Sequence, residues 1–269
     1  MNYQQYQPPE CLRDYVRYFW SFDAREPSHR TLCIRSFADR FPRLIFQDLS
    51  DFRPLEHGTG YQLPQCYISG IDTKDTWATL GGSWSHFGVS FYPHALKVFF
   101  QADADDLTDE MPEILLLCKS QIGQQLEVAK NHLQRMHLLS DYLYQKLWSN
   151  RKPERFINHI IHSNAVLATS SLYQLQKDLK ISERQLERDF KRCVGISPKK
   201  FQRIIRFERA LDLLSTADYR QLTSVAYQLG YYDQAHFIKD FSSFSGMSPY
   251  QFTQEKKMGS ESSSFIYDS

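Results

Sequence analysis

The feature that most constrains this chain is an internal repeat in its C-terminal half. Residues 182–201 match residues 233–252 at a constant offset of 51. Six pairs of positions are identical: Asp189/Asp240, Phe190/Phe241, Gly195/Gly246, Ser197/Ser248, Pro198/Pro249 and Phe201/Phe252. The surrounding half reads as helix throughout, with breaks at its Gly and Pro residues. The repeat therefore predicts two copies of one small helical unit.

A shorter helix precedes each copy of the repeat. Three apolar residues of the first short helix correspond, at an offset of 50, to three of the second: Leu172, Leu175 and Leu179 to Leu222, Val225 and Leu229. The second turn therefore holds one extra residue. Two helices joined by a turn of three or four residues form a helix-turn-helix, whose second helix enters the major groove of DNA.

In each helix-turn-helix unit, the apolar positions of the second helix predict which side of that helix is exposed. With Leu186 and Phe190 facing inward, about 100° per residue places a cationic stripe on the opposite side of the first helix. Phe237 and Phe241 orient the second helix in the same way. The predicted DNA-binding residues are Arg184, Glu187, Arg188, Lys191, Gln234, Ala235, His236, Lys239 and Ser242. Arg can read guanine, Gln can read adenine, and Lys can bind guanine or phosphate. The alternative, solvated faces of ordinary core helices, is disfavoured by the duplication.

A strong helical pattern joins the two units. It covers residues 201–216, which at about 1.5 Å per residue is about 24 Å long. Such a spacer could hold two recognition helices on one side of the duplex, where successive major grooves lie about 34 Å apart.

Charge is distributed unevenly along the chain, although the net charge is only +1. Residues 1–150 carry 14 Lys and Arg against 18 Asp and Glu, a balance of −4, whereas residues 151–257 carry 18 against 11, a balance of +7. The last twelve residues add −2. A basic C-terminal half is typical of a domain that binds a polyanion.

With these motifs in place, residues 155–254 resemble the DNA-binding domain of the AraC/XylS family of bacterial transcription regulators. The resemblance is strongest over residues 226–252, where the glycines, the inward aromatics and the Ser-Pro start of the next helix are in register. The first unit departs from the family pattern at Gln176, where an alanine is usual, and at Lys180, where the turn often has glycine. A side chain at a turn position with positive φ costs stability.

The N-terminal half is predicted to be β-rich. Short alternating segments bounded by turn residues suggest strands at 15–22, 43–47, 66–71, 77–80 and 86–91. Residues 15–20 and 87–96 weakly resemble the sensor-like β domain found ahead of such helix-turn-helix pairs. Two amphipathic helical stretches follow, from about residue 111 and over 132–147. In the AraC/XylS family, helices in this position often pair two subunits, although covering the sheet is an equal alternative.

These patterns predict an α+β chain of two domains. Residues 1–150 form a cupin-like or small-barrel β domain with trailing helices, and residues 151–257 form an all-α domain with two helix-turn-helix motifs joined by a linker helix. The boundary is placed at the polar stretch 149–153. Residues 258–269, rich in serine, are predicted to be a flexible tail unless they dock.

The N-terminal domain has three candidate roles. Aromatic residues could line a small-molecule pocket, for which the candidates are Trp20, Trp77, Trp84, Phe91 and Tyr92, or they could simply fill the core. A domain used only for dimerisation or protein contacts is the second candidate. A cupin-type enzyme is the third, disfavoured because the histidines at 29, 57, 86 and 94 are dispersed, with no H-x-H pair to grip a metal.

The sequence therefore predicts a sequence-specific transcription regulator without catalytic residues, metal or cofactor. The resemblance implies double-stranded DNA and RNA polymerase as partners, with a small-molecule effector and a second subunit as further candidates. The N-terminus lacks the basic and apolar regions of a signal peptide, and no apolar run is long enough for a membrane span, so a cytoplasmic location without membrane contact is expected.

Overall fold

The computed structural model describes residues 2–50, 52–150, 176–177, 179–216, 222–255 and 265–268. The expected domain boundary at residues 149–153 lies largely outside these ranges, as do Leu172 and Leu175 of the first short helix. The exact limits of the two domains therefore stay predictions. Their folds are confirmed: the N-terminal part is an antiparallel sheet with trailing helices, and the C-terminal part is helical.

The N-terminal domain is built on one antiparallel sheet of seven strands. The strands are β1 (Asn2–Tyr6), β2 (Val16–Ser36), β3 (Arg43–Gln47), β4 (Glu56–His57), β5 (Cys66–Ser69), β6 (Thr76–Phe91) and β7 (Phe265–Asp268). Their order is β1-β2-β6-β3-β5, with β4 paired to β6 and β7 paired to β2. The sheet thus depends on two long central strands, β2 and β6.

The long β6 corrects the sequence prediction of two strands at 77–80 and 86–91. Gly81 and Gly82 were expected to end a strand, but the strand runs through them. Gly82 has a φ of 75°, and the register between β2 and β6 shifts between Ala24 and Leu32 on the partner strand. The glycines therefore mark an irregular stretch within a continuous pair of strands, because a residue with positive φ can bend a strand without ending its pairing.

Four helices follow the sheet: α1 (Ala95–Phe100), α2 (Ile114–Leu117), α3 (Ile122–Glu127) and α4 (His132–Ser149). The stretch predicted as one amphipathic helix from residue 111 is two short ones, interrupted at residues 118–121, where Cys118 is extended. Ile114, Ile122 and Leu126 still face the core, at 0–1% exposure. The predicted helix over 132–147 is confirmed as α4, which Asn131 caps by accepting a hydrogen bond from the Gln134 amide at 2.9 Å.

The C-terminal domain contains α5 (Glu183–Val194), α6 (Pro198–Thr216), α7 (Leu222–Gln228), α8 (Gln234–Ser245) and α9 (Pro249–Glu255). The linker helix α6 starts three residues earlier than predicted, because Ser197 accepts a hydrogen bond from the Lys200 amide and Pro198 takes the first helical position. Its 19 residues make it about 28 Å long.

The two domains share a hydrophobic core. Phe37, Ala38, Ile71 and Val98 of the N-terminal domain are buried in the same cluster as the apolar residues of α5, α6 and α8. The backbone amide of Ala38 donates to the carbonyl of Phe244 at 2.9 Å. The DNA-binding half is therefore packed directly onto the β domain, and the residues that carry this contact gave no signal in the sequence.

Part of the predicted flexible tail is paired with the sheet. Residues 265–268 instead form β7, which runs antiparallel to residues 33–36 of β2. The sequence allowed for docking but could not name the acceptor, because an exposed strand edge becomes visible only once the sheet is assembled. No helix within the described ranges is both long and apolar enough to cross a membrane.

Candidate nucleic-acid interface

The turns of the two helix-turn-helix units have the same backbone hydrogen bonds. In the first turn the amide of Ile181 donates to the carbonyl of Gln176 at 3.2 Å, and the amide of Lys180 donates to that of Lys177 at 3.2 Å. In the second turn the equivalent bonds join Tyr231 to Ala226 at 2.9 Å and Gly230 to Tyr227 at 3.0 Å. Each turn thus ends the preceding helix with a Schellman motif, in which one residue adopts positive φ.

Lys180 occupies that positive-φ position in the first turn. Its φ is 54°, whereas the equivalent Gly230 has 74°. The expectation of a side chain at a turn position with positive φ is therefore confirmed, and glycine is the residue that adopts this backbone region without steric cost. The predicted extra residue of the second turn is also present, since the cap of the next helix follows two residues after Lys180 but three after Gly230.

The two recognition helices begin and end alike. Ser182 caps α5 by accepting from the Gln185 amide at 3.2 Å, and Asp233 caps α8 by accepting from the His236 amide at 2.7 Å. Gly195 and Gly246 end the two helices in the left-handed conformation. The duplicated positions thus set the length and direction of both helices.

The helix faces agree with the sequence prediction. Leu186 and Phe190 in α5 and Phe237 and Phe241 in α8 are buried, at 0–1% exposure. Among the predicted DNA-binding residues, those that are exposed are Arg184, Glu187, Arg188, Lys191, Ala235, His236 and Lys239, and those that are partly exposed are Gln234 and Ser242. The exposure of these side chains to solvent is observed, whereas their contact with DNA stays a prediction.

The exposed side chains of α5 are positioned by neighbours on the helix. Arg188 donates from Nη2 to Gln185 Oε1 at 2.6 Å, and its Nε lies 3.7 Å from Asp189 Oδ1. The Arg188 side chain remains 71% exposed. Its guanidinium is therefore both oriented and open to a partner, as a bidentate contact to a guanine requires.

Aromatic packing fixes the second unit to the linker helix. Phe241 lies 5.1 Å from Phe207, 5.8 Å from Phe237 and 5.7 Å from Phe252 between ring centroids. In the first unit, Phe190 packs edge-on against Phe201 at 5.4 Å. Phe190 and Phe241 both pack against the linker helix α6, and Phe241 also contacts α9. The linker helix therefore holds α5 and α8 in place.

The repeated aspartates have different partners. Asp240 is 4% exposed and receives Arg203 Nη2 at 2.6 Å, with Arg206 Nη2 at 3.8 Å. Its counterpart Asp189 bonds instead within its own helix, to Gln185. A buried carboxylate needs such a partner to offset its lost hydration. The second unit is thus tied to the linker by charge as well as by rings.

Sequence reasoning missed a basic cleft between α6 and α8. The cleft has a volume of about 1010 Å³, and the cations that line it are Lys199, Arg203, Arg206, Arg209 and Lys239. His236 and Lys239, both predicted to face DNA, lie on its wall. The arginines of the linker were visible in the sequence, but their common side became clear only once the second unit was packed against them.

The N-terminal domain contacts the end of both recognition helices. Thr108 donates from Oγ1 to the carbonyl of Gly195 at 2.8 Å, and a Cβ at Gly195 would lie 2.9 Å from the carbonyl oxygen of Ala104. A Cβ at Gly246 would collide with Asp75 and Arg35. The β domain therefore lies against the same repeated position in each unit.

One predicted DNA-binding residue is close to this domain contact. Lys191 Nζ lies 3.9 Å from Asp105 Oδ2, while 60% of its side chain remains exposed. An exposed pair of this kind is worth about 0–1 kcal/mol. Lys191 thus forms a weak ion pair with an acidic residue of the N-terminal domain, which the sequence did not indicate.

A cavity of about 100 Å³ lies within the β domain. Trp20 and Trp77 line it, as the sequence predicted for a ligand pocket. Trp84 is buried in the same hydrophobic cluster as Trp20 and packs against Phe22. Phe91 belongs to a different cluster, and Tyr92 stacks on His94. Two of the five predicted ligand residues thus line the cavity, and a third, Trp84, lies in the hydrophobic cluster of Trp20 without lining it.

The polar wall of the cavity was missed by sequence reasoning. Arg43 and Asp72 line it at 5% and 3% exposure, and Asp39, just behind, binds the Arg43 guanidinium. Burial raises the pKa of Asp72 to about 7, against the attraction of Arg43. Burial lowers the pKa of the lining His86 to about 4, so this imidazole is neutral at pH 7.

Residues 37–40 link the cavity wall to the DNA-binding half. Asp39 exchanges two backbone hydrogen bonds with Asp72, at 2.9 and 3.1 Å. Next to it, Arg40 Nε lies 2.9 Å from Glu208 Oε2 of the linker helix. Burial raises the pKa of Glu208 to about 7, although Arg40 opposes the shift. One short segment thus touches both the cavity wall and the helix that carries the two units.

Comparison with known families decides what the C-terminal half is. A family described as a helix-turn-helix domain matches residues 175–255. Residues 175–255 are an AraC-type helix-turn-helix domain. The AraC-type resemblance is therefore confirmed, and the protein is a DNA-binding transcriptional regulator. Residues 4–113 match a domain of unknown function, DUF6597.

Several solved structures resemble this chain at low sequence identity. ToxT from Vibrio cholerae is 12% identical, with a TM-score of 0.43, over 88% of this chain and 98% of ToxT. The C-terminal domain of AraT from Geobacillus stearothermophilus is 23% identical, with a TM-score of 0.34, over 40% of this chain and 93% of that one. An AraC-type regulator from Chromobacterium violaceum is 24% identical, with a TM-score of 0.30, over 32% and 76%. No curated protein matches the sequence significantly.

Proposed function

We propose that this AraC-type protein is a sequence-specific regulator whose two recognition helices read successive major grooves and whose N-terminal domain adjusts that reading in response to a small molecule. The observation that carries the proposal is the duplicated reading helix, capped alike in both units, with a polar or cationic edge open to solvent. RNA polymerase is the protein partner that such regulation implies.

The two kinds of DNA contact are divided among the exposed residues. Arg188, oriented by Gln185, has the geometry to read a guanine edge, and Gln234, near the start of α8, can read adenine. The cations of the cleft between α6 and α8 suit the phosphate backbone, where they displace counterions without reading sequence. Affinity should therefore fall steeply with salt, and specificity should come from the helix edges.

Selection of bound fragments from genomic DNA tests the reading function. The full chain is incubated with the fragments, the enriched sequences are compared, and affinity for the best site is measured against random DNA over a salt series. Binding to the selected site should be at least about 10³-fold tighter than binding to random DNA. A protein that binds selected and random DNA equally would contradict the proposal.

The effector proposal rests on the cavity and on its link to the linker helix. Arg43 and Asp72 are part of the cavity wall and both interact with Asp39. The following residue, Arg40, pairs with Glu208, and the preceding Ala38 is bonded to Phe244. A ligand that moves the wall by a few tenths of an ångström would act on these contacts, because packed interfaces respond by shifting between discrete arrangements.

The connection between the cavity wall and the linker helix can be tested with a substitution outside the cavity. Arg40→Gln removes the ion pair with Glu208 and leaves the cavity and the reading helices unchanged. A ligand found by thermal-shift screening should still stabilise this variant, but its effect on DNA affinity should shrink. An unchanged ligand effect on DNA binding would show that regulation does not pass through residues 37–40.

A second copy of the chain is the partner proposed for the trailing helices. Large apolar side chains are exposed on α2, α4 and the segment before α4: Leu115, Leu116, Val128, Leu133, Tyr144 and Trp148. Clustered apolar exposure of this kind is typical of an interface. Sedimentation should show a dimer that Leu133→Glu weakens, whereas Gln4→Glu, which places a charge at an exposed position of strand β1, should leave it intact. A wild-type monomer at micromolar concentration would contradict this.

A further inference from the structure

We propose that the β-domain cavity binds a small organic cation, whose ammonium group is held among aromatic rings and balanced by the carboxylate of Asp72. This inference names the ligand class for the effector role proposed above and rests on it. It follows from the cavity's aromatic wall, its charge and its size.

Aromatic rings form a large part of the cavity wall. Five of the lining residues are aromatic: Tyr18, Trp20, Phe22, Tyr67 and Trp77. They come from β2, β5 and β6, so three strands of the sheet contribute rings to the cavity wall. The faces of Trp and Tyr attract cations, and the attraction is strongest when the cation is desolvated. An aromatic wall alone would also accept a neutral apolar ligand, so the charge of the cavity decides between them.

Buried charge in the cavity wall and directly behind it is unbalanced towards negative. Arg43 is the one Arg or Lys among the residues that line the cavity, and its guanidinium is bound by Asp39. Asp72 is a second buried carboxyl group beside this pair. With one cation and two carboxyl groups, the cluster reaches neutrality either by holding a proton on Asp72 or by admitting an external cation.

The electrostatics of Asp72 agree with this imbalance. Its pKa is raised to about 7 by burial first, while Arg43 lowers it and Asp39 and Asp109 raise it. The two lining histidines do not supply the missing charge, because burial lowers the pKa of both His57 and His86. A bound anion would meet a carboxylate that is already short of positive neighbours, so the cavity disfavours carboxylate and phosphate ligands.

The size of the cavity restricts the ligand. The cavity has a volume of about 100 Å³. One water molecule occupies roughly 10–15 Å³ of cavity volume, so the cavity holds the equivalent of about seven to ten waters. Compact amines and quaternary ammonium ions with about five to eight non-hydrogen atoms fit this space. Polyamines, nucleotides and long-chain lipids exceed it.

The proposal predicts a pH dependence with a definite sign. A permanent cation binds the ionised form of Asp72, so its affinity rises with pH through about 7 and levels off above it. The groups that face Asp72 are Arg43, Asp39 and Asp109, together with Tyr67. Since burial keeps Tyr67 neutral, Asp72 is the group whose charge changes near neutral pH. The ionised fraction, and with it the affinity, should rise about tenfold between pH 6 and pH 8.

Three compact probes separate the ligand classes. Tetramethylammonium carries a permanent positive charge, tert-butanol has the same shape without charge, and pivalate carries a negative charge. Binding to the full chain is measured by calorimetry and thermal shift at matched ionic strength. Tetramethylammonium should raise Tm and bind more tightly at pH 8 than at pH 6, while the other two should bind at least about tenfold more weakly.

Two variants and one control locate the site. Asp72→Asn should abolish the preference for tetramethylammonium over tert-butanol. Trp77→Leu, at a ring that is 48% exposed and therefore replaceable without unfolding, should weaken tetramethylammonium binding several-fold. Asp75→Asn is the matched control, because Asp75 lies three residues from Asp72 but pairs with Arg35 outside the cavity. It should leave binding unchanged.

The outcomes distinguish this inference from the effector role on which it rests. Equal or tighter binding of tert-butanol or pivalate would overturn the cationic ligand class and leave a cavity effector in place. Binding of tetramethylammonium that survives both Asp72→Asn and Trp77→Leu would place the cation elsewhere and overturn the assignment. Absence of binding by all three probes would also overturn it, and the effector role would then be judged by the wider screen with Arg40→Gln.

Discussion

The two helix-turn-helix units share a backbone plan but differ in what surrounds them. The recognition helix of the first unit, α5, carries Arg184, Arg188 and Lys191 on its exposed side and packs against the N-terminal domain. That of the second, α8, carries Lys239 as its one exposed Lys or Arg. Its Phe241 packs against the rings of Phe207 in α6 and Phe252 in α9. Duplication thus produced one unit suited to strong electrostatic contact and one anchored more firmly in the core.

This difference indicates how regulation could act unequally on the two units. The N-terminal domain contacts both units directly, through Asp105 near Lys191 of α5 and through Ala38, which bonds to Phe244 of α8. The contact on the first unit lies beside Lys191, a predicted DNA-binding residue, whereas the contact on the second unit lies at the buried Phe244. Four sets of substitutions test whether the two units differ in the expected way.

The largest expected effect is loss of the ring packing of the second unit. Phe241→Ala removes a fully buried ring with three aromatic neighbours and should lower the free energy of unfolding by about 3–5 kcal/mol. Phe190→Ala, at the repeat position of the first unit, removes an equally buried ring that packs on Phe201 and is the matched comparison. Urea denaturation of both variants measures the difference. An equal or larger loss for Phe190→Ala would remove the basis for calling the second unit the firmer anchor.

The next effect concerns reading of the DNA sequence by α5. Arg188→Ala should weaken binding to the selected site by about 1–3 kcal/mol and spare random DNA, because a bidentate contact to guanine is lost. Lys239→Ala in α8 should instead weaken binding to all sequences alike, since it lines the basic cleft. Affinity on specific and random DNA separates the two. Lys119→Ala, which removes an exposed cation from the N-terminal domain, is the control.

An equal loss of affinity on both DNAs for Arg188→Ala would make Arg188 a phosphate contact. The two helix-turn-helix units would then differ in charge but not in how they recognise the base sequence.

A smaller effect is expected at the two turns. Lys180→Gly should stabilise the chain by about 0.5–1 kcal/mol, because glycine relieves the positive φ of 54°. Gly230→Ala should destabilise it by about 1 kcal/mol, since a Cβ there meets no neighbouring atom and only the backbone strain counts. Thermal unfolding measures both changes. Destabilisation by Lys180→Gly would mean that the Lys180 side chain contributes more than its backbone costs.

The smallest expected effect is release of Lys191 from its acidic neighbour. Asp105→Asn should strengthen DNA binding by less than about 1 kcal/mol at low salt, because the pair is exposed and weak. The gain should disappear in the double variant with Lys191→Ala. Weaker DNA binding by Asp105→Asn alone would show that Asp105 supports α5 and does not restrain it.

Local patterns in the sequence were sufficient for the DNA-binding half. The burial of Leu186, Phe190, Phe237 and Phe241, the strained first turn and the extra residue of the second turn all agree with the structure. Each depends on helical periodicity or on turn chemistry within a few residues. Such features are set by backbone sterics and by the spacing of apolar side chains, which distant contacts do not change.

Prediction was weaker where the outcome depended on distant partners. The strand through Gly81 and Gly82 is held by pairing with β2, and the break at residues 118–121 divides a stretch whose apolar spacing fits one helix. Likewise, two of the five aromatic residues proposed for a ligand pocket fill or flank other parts of the domain. Composition identified an aromatic β domain, but only packing selected which rings face a cavity.

By itself, the sequence determined that the chain carries two similar helical readers, which way their helices face, and that the half containing them is basic. These properties follow from short-range geometry repeated at a fixed offset. Tertiary structure decided that residues 37–40 join a cavity wall to the linker helix, that Asp72 lies buried beside an Arg43 already bound by Asp39, and that β7 extends the sheet. Apart from the Asp39–Arg43 pair, those features bring together residues about 30 to more than 200 positions apart, and the free energy of such contacts depends on burial and partners that no local pattern encodes.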